Sequence, residues 1–190
     1  VLDALQPGKP VLVHLATGGG KTRVANDSVT DFLETRPDEW ALWLAPSWRL
    51  LQQAALDLSE RYPGLADMLG RLGGSNAKMP GVSEATDGRA RVVYTTTQTF
   101  TRRVASEDPC FSQEPALVIW DECHLGENAK TGNMILDPEI WPHTPVLGLT
   151  ATPVRPEHSR FEIVFSRSFL ELVNEGWLAR PIITEVDTGI

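Results

Sequence analysis

Short apolar runs of strand-forming residues alternate with helix-patterned segments along this chain, and that alternation restricts its fold more than any other feature. The runs are residues 11–16 (VLVHLA), 40–45 (WALWLA), 91–97 (RVVYTTT), 116–120 (ALVIW) and 146–150 (VLGLT). They are close to continuously apolar, as strands buried on both faces are. Residues 21–33, 47–62 and 98–106 read as helices; in the second, Leu50, Leu51, Ala54, Ala55 and Leu58 recur at helical spacing. The pattern predicts an α/β domain, a mostly parallel sheet with helices on both faces. Ligands of such sheets sit beyond the carboxyl ends of the strands. Residues 73–89, rich in Gly, Ser, Asn and Pro, read as a loop, and the tail from Gly176 as a turn and an extended segment leaving the domain.

Composition narrows the setting. A chain of 190 residues with 42% hydrophobic and 22% charged residues has the balance of one soluble globular domain with a core of its own. No apolar run approaches the roughly 20 residues of a membrane span, so no membrane partner is expected. The first residues lack the pattern of a signal peptide and there is no starting Met, so the chain is expected to be a piece of something longer. Two cysteines, Cys110 and Cys123, give no disulfide framework and suit a reducing cytoplasm. A net charge of −8 argues against a protein held to nucleic acid by bulk charge. It leaves room for a local groove of hydroxyls, backbone N–H groups and a few arginines.

Three strand endings carry chemistry. The first is Thr17-Gly18-Gly19-Gly20-Lys21-Thr22, between a strand and a helix. A triphosphate needs many N–H donors close together, which glycines permit, and a helix N-terminus adds its dipole. Lys21 would reach the β- and γ-phosphates and the Thr22 hydroxyl would bind Mg²⁺. The strict P-loop pattern wants Gly or Ala where this chain has Leu15. The second ending is Asp121-Glu122-Cys123-His124. An acidic pair at a buried strand end is costly unless it meets a cation or does chemistry. Asp121 would hold Mg²⁺, and Glu122 would polarise the water that attacks the γ-phosphate. Cys123 and His124 lack the second ligand pair a zinc site needs. The third ending, Thr150-Ala151-Thr152-Pro153, taken alone reads better as an ordinary strand exit, with Pro153 stopping the strand.

Taken in order, LATGGGKT, LAPSWRLLQQ, TTTQTF, DECH and LTATP resemble motifs I, Ia, Ib, II and III of superfamily 2 helicases. The closest likeness is to the DEAD/DEAH-type translocating subunits of type I and type III restriction enzymes, a branch in which Leu15 is common. The resemblance implies a RecA-like P-loop domain, the first of two motor domains, over residues 1–175. Residues 176–190 would begin the connector to the second RecA-like domain of the same chain. It implies ATP and Mg²⁺ as ligands, with Thr17, Gly18, Gly19, Gly20, Lys21 and Thr22 on the nucleotide, Thr22 and Asp121 on the metal, and Lys21 and Glu122 in catalysis. His124, Thr150 and Thr152 would couple nucleotide state to nucleic-acid binding. Ser47, Trp48 and Arg49, then Thr96, Thr97 and Gln98, stand where the family touches the sugar–phosphate backbone. Gly73-Gly74 resembles a glycine pair on the same path. For Trp48, packing is an equal reading, and for the threonines plain β-propensity is. The adenine-reading glutamine of the family should lie further upstream than Gln6, in sequence not given.

The expected function is therefore an ATP-driven motor on nucleic acid, DNA more than RNA, with nuclease or modification subunits as further partners. A non-motor nucleotide switch controlling a partner is the alternative. A phosphotransferase is disfavoured by the water-activating glutamate.

Overall fold

The computed structural model describes residues 1–74, 79, 82–85, 89–152, 157 and 159–181. In chain order the elements are β1 (Val11–Leu15), α1 (Lys21–Glu34), β2 (Ala41–Ala45), α2 (Trp48–Arg61), β3 (Leu69–Arg71), β4 (Ser83–Glu84), β5 (Val92–Thr96), α3 (Thr97–Ala105), β6 (Leu117–Asp121), α4 (Lys130–Ile135), β7 (Val146–Thr150), β8 (Glu162–Arg167) and α5 (Phe169–Asn174). Every residue of β1, β2, β5, β6 and β7 is buried, which is why these five runs are close to continuously apolar.

Strand side chains alternate between faces, and the core splits accordingly. Val11, Val13, Trp43, Tyr94, Ile119 and Leu149 pack with Ala25, Val29 and Leu33 of α1, with Leu51, Ala54 and Leu58 of α2, and with Leu172 of α5. Leu12, Leu42, Leu44, Val93, Val118 and Trp120 pack on the other side with Phe100 of α3, Ile135 of α4, Trp141 and Phe161. Helices therefore cover both faces, as the sequence predicts.

The eight strands form one sheet in the order β4-β3-β5-β2-β6-β7-β1-β8. All seven neighbouring pairs are parallel. Every carboxyl end thus lies on one edge. That edge has two halves: β6, β7 and β1 carry the glycine, acidic and Thr-Ala-Thr endings, and β2, β5 and β3 carry the other candidates.

Four elements were not expected. β3 and β4 are short, β4 falls inside the stretch read as a loop, α4 has six residues including a glycine, and β8 has no buried residue. A boundary also moves. The strand read through Thr97 ends at Thr96, because the Thr96 hydroxyl accepts the backbone N–H of Thr99 at 3.2 Å and caps α3. At the opposite edge, the Arg91 guanidinium donates to the carbonyls of Leu33, Arg36 and Glu39 at 2.7–3.0 Å. It thereby ties the start of β5 to the end of α1 and the turn that follows. Pro153 and residues 182–190, part of the expected connector, lie outside the described residues. No helix among the described residues is long and apolar enough to cross a membrane.

Candidate functional site

The glycine loop follows β1 directly. Gly18 and Gly20 have φ of 81° and 89°, left-handed values that side chains with a Cβ resist, and the loop can turn sharply only because of them. Gly20 is the N-cap of α1 and offers no side-chain acceptor to the first N–H groups of the helix. Those donors have no partner within a helix either. The loop thus presents an uncapped helix start flanked by Thr17, exposed, and Thr22, half-buried in the first turn. Lys21 reaches back across it: its Nζ lies 3.5 Å from the carbonyl oxygen of Leu15 and 3.9 Å from Glu122 Oε1.

β6 ends at Asp121, which is 5% exposed and accepts the backbone N–H of Glu122 at 3.0 Å. Burial, reinforced by the charge of Glu122, pushes the Asp121 carboxyl up to about 6, while Lys21 and that N–H pull the other way. Such a group gains from a cation. Glu122 has φ 52°, an uncommon conformation for a residue with a side chain. Strain of this kind persists where surrounding structure holds it, often at functional sites. Here it aims Glu122 between two partners: Oε1 toward Lys21 and Oε2 toward His124 Nδ1 at 3.4 Å. Cys123 turns instead into the core against Gly148.

The Thr-Ala-Thr ending closes on the same histidine. Thr150 Oγ1 lies 2.8 Å from His124 Nδ1, and Thr152 Oγ1 lies 3.2 Å from its Nε2. The Thr152 N–H donates to Thr150 Oγ1 at 3.0 Å, so the two hydroxyls form one clamp. A line of contacts therefore runs Lys21–Glu122–His124–Thr150–Thr152, joining all three endings.

The other half of the edge holds the remaining candidates. Ser47 is the exposed N-cap of α2 and makes no side-chain cap bond, and Arg49 is exposed with no ion pair among the described residues. Thr97 and Gln98 open α3, half-buried and exposed respectively. The Thr96 hydroxyl is engaged, donating to Thr99 Oγ1 at 2.9 Å while it caps the helix. Trp48 has a packing role. Its indole lies so close to Gly74 that no Cβ fits between them, and Gly73 meets Thr99 in the same way. Arg71 Nη1 donates to the carbonyls of both glycines at 2.8 and 2.7 Å. The glycine pair is thus braced between the starts of α2 and α3.

Three features went unread in the sequence. Leu172 and Leu178 press on the glycine loop: a Cβ at Gly19 would meet Leu172 Cδ1 at 2.8 Å, and one at Gly18 would meet Leu178 Cδ2 at 3.3 Å. Nothing in the motif marks these leucines. His14 Nδ1 lies 2.9 Å from Ser166 Oγ, tying β1 to β8. Its one signal was a polar residue inside VLVHL. Glu127, 6% exposed, accepts from the Ser159 hydroxyl at 3.0 Å and holds down the chain that leads to β8.

Comparison with known proteins agrees with this layout. The family described as Type III restriction enzyme, res subunit, matches residues 2–155. No curated protein matches the chain. A nuclease-deletion mutant of the Type ISP restriction-modification enzyme LlaGI, solved in complex with a DNA substrate mimic, superposes with a TM-score of 0.66 at 16% identity, over 89% of this chain and 19% of that one. The UvsW helicase from bacteriophage T4 gives 0.60 at 22% identity, over 84% of this chain and 54% of its own. The Pyrococcus furiosus Hef helicase domain gives 0.59 at 26% identity, over 91% and 34%. The chain therefore spans about half or less of each of these proteins, and the part it shares is a RecA-like helicase domain. Matched by one family over most of its length, and folded as helicase motor domains are, the chain belongs to the type III restriction enzyme res-subunit family.

Proposed function

We propose that the chain is the ATP-binding motor domain of a nucleic-acid-dependent ATPase, a helicase or translocase acting on DNA. The observation that carries this reading is the position of Glu122, held in a left-handed conformation between Lys21 and His124. One residue thus meets Lys21 of the glycine loop on one side and, on the other, the histidine that the Thr150–Thr152 clamp holds.

The residues fit ATP with Mg²⁺. The uncapped start of α1 and Lys21 suit phosphate oxygens. Asp121 and the Thr22 hydroxyl are hard oxygen donors, and among the described residues no group of three or more acidic, His or Cys side chains could hold a metal alone. That donor set suits Mg²⁺, which keeps several waters and shares phosphate oxygens, better than an ion needing a full protein cage. When bound, Mg²⁺ would neutralise charge on the phosphates. In this reading Thr17, Gly18, Gly19 and Gly20 line the phosphates and Lys21 holds the terminal one. Glu122 takes a proton from the attacking water, and His124 passes its state to Thr150 and Thr152. Ser47, Arg49, Thr96 and Thr97 then lie along a nucleic-acid backbone on the neighbouring half of the edge.

DNA is favoured because LlaGI was solved with a DNA substrate mimic. Residues 1–175 would form the domain and 176–190 the start of a connector to a second RecA-like domain, whose arginines would complete the site. A reducing cytoplasm is the setting that fits two free cysteines. Steady-state ATP turnover of the full-length protein, with and without DNA, is the test. A motor is stimulated by DNA; turnover indifferent to both DNA and RNA would point to the non-motor switch.

A further inference from the structure

Exposed apolar surface gathers beside the glycine loop. Among the described residues nine large hydrophobics are exposed, and four of them, Phe165, Phe169, Leu170 and Trp177, belong to β8, α5 and the turn that follows. Trp177 is the most exposed of all, at 76%. It does not hang on a loose end. Gly176, with φ 82°, turns the chain out of α5. The N–H groups of Trp177 and Leu178 then both donate to the carbonyl of Leu172, at 2.9 and 3.1 Å. Leu172 and Leu178 are the two side chains that press on Gly19 and Gly18. The indole is therefore carried on a turn fastened to the phosphate loop, one residue from a loop contact.

Sheet order gives the direction. Asp121 ends β6, Glu122 follows it and Thr150 ends β7, all on one side of β1. A nucleotide whose terminal phosphate faces those acids must extend its nucleoside the other way. What lies on that side of β1 is β8, followed by α5 and its turn. A purine base needs a flat apolar partner there. The Phe165 ring already has the Arg167 guanidinium 5.1 Å from its centroid, whereas the Trp177 indole is open. We infer that Trp177 is the stacking platform for the purine base of the bound nucleotide. This rests on the nucleotide reading above and adds the base to it.

The test compares two ligands by calorimetry on the full chain with Mg²⁺: ADP, which has a base, and inorganic tripolyphosphate, which has none. Stacking on an aromatic side chain is worth enough that Trp177→Ala is expected to weaken ADP about tenfold or more. Tripolyphosphate affinity stays unchanged, and Trp177→Phe recovers most of the ADP affinity. Wild-type ADP affinity in Trp177→Ala overturns the proposal, as does equal weakening of both ligands, which would make the turn a support for the loop. Wild-type protein that binds tripolyphosphate and ADP equally well removes the stacking alone. Wild-type protein that binds neither removes the nucleotide reading and the stacking with it.

Discussion

His124 Nδ1 lies 2.8 Å from the hydroxyl of Thr150, a fully buried residue at the end of β7, while the same ring stands 3.4 Å from Glu122. The histidine thus couples a carboxylate after one strand to the end of the next. Thr150→Val keeps the shape and removes the hydroxyl. In the full-length protein we expect basal ATP turnover to survive and its stimulation by DNA to fall about tenfold, equivalent to roughly 1.4 kcal/mol of lost coupling. A stimulation ratio equal to wild type would detach this pair from coupling.

Lys21 and Glu122 face each other at 3.9 Å and should fail differently. Lys21→Ala removes a cation from the phosphates, and nucleotide affinity measured by calorimetry should drop. Glu122→Gln keeps the shape without the charge. In the full-length protein it should leave ADP affinity nearly intact and lower turnover by about 10²-fold or more. Wild-type turnover in Glu122→Gln would exclude Glu122 as the catalytic base.

Arg49 is exposed at the start of α2 and has no ion pair among the described residues. A phosphate contact there carries no sequence information. Arg49→Ala in the full-length protein should weaken DNA binding across unrelated sequences and lower the salt slope by about one. Nucleotide affinity should not change. Anisotropy titrations over several salt concentrations read both, and an unchanged slope would take Arg49 off the path.

Asp108 offers a pH test away from the site. Its carboxyl accepts the backbone N–H of Cys110 at 2.9 Å, and Arg103 Nη1 donates to it at 2.8 Å. The Cys110 N–H chiefly, with the Cys110 thiol and Arg103 adding to it, holds its pKa below the usual 3.8. A depressed carboxylate stabilises the fold above its unfolded value, and that contribution disappears as pH falls through the folded value. Asp108→Ala should cost about 1 kcal/mol at neutral pH through loss of the hydrogen bond from the Cys110 N–H. Urea midpoints of variant and wild type should converge as pH falls below about 3.8. A gap independent of pH would show that packing, not charge, sets the cost.

What the sequence disclosed follows from burial. β1, β2, β5, β6 and β7 could be read because each is covered on both faces, so tertiary structure leaves a plain apolar run. β8 could not, because EIVFSR is an edge strand whose partner, β1, decides its existence more than its own residues do. β3 and β4 are only three and two residues long. The three strand endings were legible as motifs, yet their meeting at Glu122 was not. It depends on a left-handed backbone at a residue that carries no glycine signal. Trp48 was ambiguous for a similar reason: its neighbour Gly74 is far along the chain, and only the fold brings them into contact.

The seating of β1 between two strands that come late in the chain also bears on how the protein is made. Val11 to His14 pair with Leu147 to Thr150 on one side, and β1 pairs with β8, later still, on the other. Chains leave the ribosome at about 5–20 residues per second. The apolar segment VLVHL must then wait many seconds, unpaired, while β2, β5 and β6 can already join. Such late, long-range parallel closure is slow and leaves sticky surface open. Of the described strands, the earliest in the chain is among the last to be seated, and the nascent chain stays open to aggregation at the segment that leads into the glycine loop.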